Sequence, residues 1–351
     1  MDPGHPDPTS LSVECPLYKW PSMFPRYPDL RPRTPLSNTT RAAPASVPGR
    51  HTGPMPSTDF HPDLRRVARL APRSLIGPRS LPLIRALSSR ARRGTSDDIE
   101  VLVLGSGVGV RLHRPVGAAQ PGPALLWIHG GGYVMGTAQQ DDILCRRFVR
   151  ELGITVAAVD YRLAPEHPYP AGLEDCYSTL TWLAGLPAID PARVAIGGAS
   201  AGGGLAAALA LLAHDRGEVT PTLQLLAYPM LDDRSGAAPK NLNYRLWGPK
   251  SNRFGWAAYL GNADPQIAVP ARRNDLSGLP PAWIGVGTQD LFHDEDLDYA
   301  ERLTAAGVPC HVEVVQGAFH GFDQVVPKAA VSQSFFASQC ASLRAALAPT
   351  G

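Results

Sequence analysis

Ser200 sits in the pattern Gly198-Ala199-Ser200-Ala201-Gly202, a serine with glycine two residues away on each side. That spacing suits a nucleophile held on a sharp turn between a strand and a helix, where glycines let the hydroxyl project above a sheet. Composition alone would place such a pattern in about one chain in five of this kind. Its weight comes from the setting: the apolar run Arg193–Gly197 precedes it and an Ala-rich helical stretch from Ala201 follows. A Gly-rich turn carrying an idle serine is the competing reading.

A serine attacking a carbonyl also needs donors for the charge that develops on the carbonyl oxygen. His129-Gly130-Gly131-Gly132 stands directly after the apolar run Ala124–Ile128. Without Cβ atoms such a loop can turn its N–H groups inward. Gly131 and Gly132, with Ala201, are the candidate oxyanion donors, each typically worth about 3–4 kcal/mol in the transition state. A phosphate loop would need a Lys-Ser or Lys-Thr ending, which is missing here. His129 and Gly130 are read as holding the loop, Gly198 and Gly202 as shaping the elbow.

The hydroxyl becomes a nucleophile only when a base takes its proton and an acid orients that base. In a strand–elbow–helix arrangement the chain order is Ser, acid, His, on loops after the last strands. Asp290 follows the run Ala282–Val286, and His320, in Gly317-Ala318-Phe319-His320-Gly321-Phe322, follows His311–Val315. Asp294 and Glu295 are rival acids, but they open the next helical stretch, where carboxylates suit the helix dipole. His293 lies beside that helix start and His311 inside a strand, so neither is as apt as His320. No His/Cys/Asp/Glu group has metal-ligand spacing, and no dinucleotide fingerprint is present. The expected reaction needs no cofactor and no metal.

The elements that must position these groups alternate along the chain. Val101–Leu104 and Val108–Arg114 read as a hairpin. Six further strands follow: Ala124–Ile128, Thr155–Val159, Arg193–Gly197, Leu223–Ala227, Ala282–Val286 and His311–Val315. Helical patterns at Asp141–Leu152, Leu173–Ala184, Ala201–His214 and Glu295–Ala306 separate most of them, and Val326–Leu347 reads as a final helix. Continuous apolar strands alternating with helices predict an α/β fold, a mostly parallel sheet of eight strands covered on both faces. Residues 232–275, rich in Pro, Gly, Trp and Asn, read as an excursion from that sheet.

The chain has 351 residues and a formal charge of +2, unevenly spread. Residues 1–54 carry +2 and 12 of the 36 prolines, residues 55–94 carry nine Arg against two Asp, and the remainder carries −7. Prolines every few positions disfavour helix and sheet, so 1–54 is read as a disordered leader, with Met55 an alternative start. In 55–94, apolar residues three and four apart suggest short amphipathic helices. Their Arg-rich face could meet an anionic membrane or nucleic acid, but packing over a larger body is the preferred reading. The longest apolar run, Leu205–Ala213, is too short to cross a bilayer. Five widely spaced cysteines without a C-x-x-C pair, and no secretory signal, predict a reduced cytoplasmic protein without stable membrane insertion.

These motifs together resemble the hormone-sensitive lipase family of α/β-hydrolase esterases, the family IV bacterial esterases. The resemblance runs from about Asp59 to the final helix. It also includes Asp160-Tyr161-Arg162-Leu163-Ala164-Pro165-Glu166, read as structural. It departs at Ala199, where the family commonly has Asp or Glu, and at Leu291, where Pro is common. The resemblance implies a catalytic domain over 95–349, with the helices of 55–94 and the insertion 232–275 forming a cap. It implies a carboxylesterase for short- to medium-chain acyl esters, with a small-molecule ester as partner and no nucleic acid; a homodimer stays open. An amidase, deacetylase or acyltransferase would use the same machinery. A non-catalytic receptor, like the plant gibberellin receptors, would lack the histidine that His320 supplies.

Overall fold

The computed structural model describes residues 59–74, 76–90, 98–117, 121–237 and 243–349. The proline-rich stretch 1–54 lies outside the described residues. The strands are β1 (Ile99–Val103), β2 (Gly109–His113), β3 (Gly122–Ile128), β4 (Thr155–Asp160), β5 (Ile189–Ala199), β6 (Gln224–Ala227), β7 (Ala282–Gly287) and β8 (Cys310–Val315). They form one eight-stranded sheet in the order β1-β2-β4-β3-β5-β6-β7-β8. The hairpin β1–β2 is antiparallel, as is β2 against β4, and the six strands from β4 to β8 run parallel. The expected sheet is thus present, with its antiparallel pair at one edge.

Alternation along β3 shows how one strand serves two cores. Leu126 and Ile128 point into a cluster with Leu180, Leu205 and Leu303. These come from α4 (Ala171–Ala184), α5 (Ala201–Arg216) and α8 (His293–Ala305). Leu125 and Trp127 point the other way, toward Phe148 of α3 (Asp142–Leu152) and Phe335 of α10 (Ala330–Ala346). Full burial of each such side chain contributes about 2 kcal/mol, so both faces must be covered and strands without alternation are stable here. Helix α5 is buried almost all round, with Ala and Gly letting it lie close beneath the sheet's central strands.

The final helix starts later than the expected Val326: α10 begins at Ala330, and a separate single turn, α9 (Phe322–Val325), precedes the expected start. Pro327 has no N–H to donate and disfavours helix at Val326, so the first residues of the apolar pattern are not helical. The stretch 59–90 holds a 3₁₀ turn (Pro62–Leu64), α1 (Arg65–Leu70) and α2 (Leu81–Arg90). The excursion after β6 holds α6 (Pro249–Leu260), α7 (Pro265–Ala268) and a further 3₁₀ turn (Pro270–Arg272). Among the described residues, no helix is long and apolar enough to cross a membrane.

Candidate active site

Ser200 occupies the turn between β5 and α5 with φ +57° and ψ −121°, a conformation that side chains rarely adopt. Its amide donates to the Ala227 carbonyl at 2.9 Å, and its carbonyl accepts from Gly204 and Met230 at 2.9 and 3.0 Å. These bonds hold a turn that costs on the order of 1–3 kcal/mol in backbone strain. The flanking glycines are required by space: a Cβ on Gly198 or Gly202 would overlap the Ile128 carbonyl oxygen. The elbow and the loop after β3 therefore approach backbone to backbone.

The loop after β3 is folded back on itself. The Gly131 carbonyl accepts from both Val134 and Met135 at 3.1 Å, with φ +132° at Gly131 and +60° at Gly132. His129 is buried; its Nδ1 lies 2.8 Å from the Gly130 carbonyl oxygen, and its ring stacks on Tyr161 with centroids 4.3 Å apart. Burial holds this imidazole below its ordinary value, so it stays neutral and positions the loop. Gln140 donates a further bond to the Gly130 carbonyl at 3.3 Å. Gly130, Gly131 and Gly132 line one cavity with Ser200 and His320.

His320 and Asp290 arrive from the loops after β8 and β7. The His320 ring bridges them: Nε2 lies 2.8 Å from Ser200 Oγ, and Nδ1 2.8 Å from Asp290 Oδ2. With Nδ1–H donating to the carboxylate, Nε2 is free to accept the serine proton. The other Asp290 oxygen accepts the Phe292 N–H at 3.0 Å, so the carboxylate cannot swing away. Phe292 and Tyr228 set their edges against the imidazole at 5.2 and 5.0 Å between centroids.

The rival acids are placed elsewhere. Asp294 is turned outward with its carboxylate 3.0 Å from His293 Nδ1. Glu295 is buried and accepts the N–H groups of Leu231 and Asp232, with burial pushing its carboxyl well up. His311 lies on β8, mostly exposed, beside Glu313. Of all the predicted residues, Ser200, His320 and Asp290 are the ones brought into a hydrogen-bonded line.

The cavity over this line measures about 380 Å³. Its walls include residues without a local motif: Ile76, Asp141, Tyr228, Leu246 and Trp247. Asp141 accepts from Trp127 Nε1 at 2.8 Å, and burial raises its carboxyl to about 7. The Tyr228 hydroxyl donates to Asp323 at 2.7 Å. One signal does converge on the site. Among the described residues, the non-glycines with positive φ are Tyr133, Ser200, Tyr228 and Leu246. Three of them line the cavity and Tyr133 directly follows Gly132. Backbone strain gathers where surrounding packing enforces a functional shape.

A family model described as the alpha/beta hydrolase fold matches residues 125–324. Esterase LipI of Mycobacterium tuberculosis (strain ATCC 25618 / H37Rv) is 36% identical over 226 residues, covering 61% of this chain and 71% of that protein. Ethyl acetate hydrolase of Pseudomonas putida is 35% identical over 236 residues, covering 61% and 70%. Among solved structures, a bacterial heroin esterase superposes with a TM-score of 0.75 at 36% identity, covering 83% of this chain and 98% of that one. Esterase LipW from Mycobacterium marinum gives 0.76 at 35% identity, covering 84% and 98%. The sheet order, the strained elbow and these likenesses agree, and the chain belongs to the hormone-sensitive lipase family of α/β hydrolases.

Proposed function

We propose that the protein is a serine carboxylesterase for short- to medium-chain acyl esters. The observation that carries this reading is the unbroken hydrogen-bonded line from Ser200 through His320 to Asp290, each link 2.8 Å. The printed names of the relatives, esterase and ethyl acetate hydrolase, support the same class of reaction.

In this mechanism Ser200 Oγ attacks the ester carbonyl while His320 Nε2 takes its proton. Asp290 keeps the imidazole in the tautomer that accepts at Nε2 and stabilises the imidazolium. The carbonyl oxygen, now negative, is held by the N–H groups of Gly131, Gly132 and Ala201, the last standing at the N-terminus of α5. Donors already oriented need no reorganisation as charge develops, which is why such a hole accelerates the step. His320 returns the proton to the leaving alcohol, and the acyl group remains on Ser200. Water, deprotonated by the same imidazole, then releases the acid and restores the serine.

Residues 55–94 and 232–275 act as a cap on the catalytic body 95–349 in this reading. Ile76, Leu246 and Trp247 bring apolar surface from those segments to the cavity. The Ser251 hydroxyl, on α6, donates to the Ile76 carbonyl at 2.9 Å and ties the two segments together. Apolar walls with few polar groups suit an acyl chain.

Ser200→Ala tests the reading. Turnover of p-nitrophenyl butyrate should fall by about 10⁴-fold or more, because triad members act as a unit. Wild-type turnover in that variant would overturn the mechanism. Rates on a matched ester and amide pair then decide whether the ester is the preferred substrate.

A further inference from the structure

The stretch 59–90 lies above the carboxyl ends of the strands. The His61 N–H donates to the Gly317 carbonyl, and Leu64 and Ala68 are buried in the core that holds Phe319, both in the loop after β8. Ile76 lines the active-site cavity. Arg85 of α2 donates to the carbonyls of Val134 and Ala164, which follow β3 and β4, and pairs with Glu166. The inner side of this stretch is therefore fully engaged by the body.

Its outer side is different. Arg65, Arg66, Arg69, Arg73 and Arg79 are exposed, and among the described residues no carboxylate lies within ion-pair distance of them. Elsewhere most arginines meet a carboxylate, as Arg111, Arg162, Arg272 and Arg273 do. Three leucines of the same stretch are exposed as well: Leu70 is 88% exposed, and Leu83 and Leu87, one turn apart on α2, are 63% and 56% exposed. Exposed leucines are unfavourable in water, and the arginines on the same stretch have charge to offer. Both are matched by a surface that is anionic at its headgroups and apolar beneath them.

We propose that the outer face of α1, α2 and the turn between them docks reversibly on an anionic lipid bilayer. The arginines sit at the headgroups, Leu70, Leu83 and Leu87 enter the interfacial layer, and the cavity beside Ile76 is brought toward the membrane. The net charge of −7 on the rest of the chain favours the same orientation, since the 55–94 stretch carries +7. A nucleic acid would engage the arginines but leave the leucines in water, so the leucines favour the bilayer. With six and ten residues, α1 and α2 lie on the surface and do not span it. The proposal does not depend on the chemistry of Ser200.

Cosedimentation of the full chain with vesicles tests it. The protein should bind vesicles of equimolar phosphatidylcholine and phosphatidylglycerol, not phosphatidylcholine alone, and release in high salt. Each arginine near such a surface contributes about fivefold in partitioning, so Arg65→Gln/Arg66→Gln/Arg69→Gln should weaken binding roughly 100-fold. Leu83→Ser/Leu87→Ser should weaken it at unchanged charge. Both variants should keep wild-type turnover of a soluble ester, which shows that they fold. Absence of binding to the anionic vesicles, or equal binding by the arginine variant, would overturn the proposal. So would tight binding of a duplex DNA probe that the leucine variant leaves intact while vesicle binding is missing.

Discussion

Beneath the strand ends and above them, the same residue types are used in opposite ways. In the body, charged side chains meet partners: Arg111 holds Asp142 with two bonds of 2.8 and 2.7 Å, and Asp290 holds His320. In the stretch 65–79, five exposed arginines meet no carboxylate among the described residues. A buried charge without a partner would cost several kcal/mol, so a buried carboxyl that meets no cation, such as Asp296, is pushed toward its neutral form by burial. Water compensates the outer ones at little cost. Their placement therefore carries no stability argument, and it leaves their charge available to an outside surface.

The largest test of this contrast concerns two carboxylates four residues apart. Asp290→Asn should lower ester turnover by about 10⁴-fold, since the amide stabilises the wrong imidazole tautomer. Asp294→Asn, on the outward side of α8, should leave turnover unchanged. If the second variant lost activity and the first kept it, the assignment of the inner partner would be wrong.

A smaller effect separates two arginines. Arg111 is 7% exposed and shares Asp142 with His113. Arg111→Gln leaves that carboxylate short of its partner and should cost about 3 kcal/mol of unfolding free energy in a urea titration. Arg66→Gln, in the outer stretch, should shift the same titration by no more than about 0.5 kcal/mol. Equal effects would erase the distinction between the two layers.

A last effect, read against pH, concerns Asp141, a buried acid held by Trp127 rather than by a cation. Unfolded, it loses its proton near the ordinary value of 3.8; folded, burial delays that loss to about 7. The folded state therefore holds the proton more tightly, and this group's contribution to stability falls as pH rises from about 4 to about 7. Asp141→Asn removes that loss. Its melting temperature should gain on wild type as pH rises through this window and run parallel above it. A constant difference across the window would show that Asp141 is already ionised in the folded protein.

The relation between pattern and place differs from residue to residue. The elbow around Ser200 and the loop 129–132 are legible because their chemistry is local: glycine at fixed offsets, directly after an apolar strand. The order of strands and helices is legible for the same reason, since burial on both faces writes continuous apolar runs. Asp290 was legible only to within a few residues, because Asp294 and Glu295 share its neighbourhood and backbone turns decide which one faces the imidazole. The start of α10 is read four residues too early, at Val326, because the apolar pattern outweighs Pro327. Asp141, Tyr228 and Ile76 had no motif at all.

From the chain alone came the residue types and spacings of the serine elbow, the glycine loop after β3 and an α/β sheet, each a property of neighbouring residues. Tertiary structure decided which acid meets His320, which segments wall the cavity and which arginines meet no carboxylate among the described residues. Those outcomes depend on atoms far apart in sequence: Asp290 and His320 are 30 residues apart, and His320 and Ser200 are 120 apart. No local pattern encodes such a distance. Only assembly of the sheet, with its helices packed on both faces, brings those atoms within reach of a hydrogen bond.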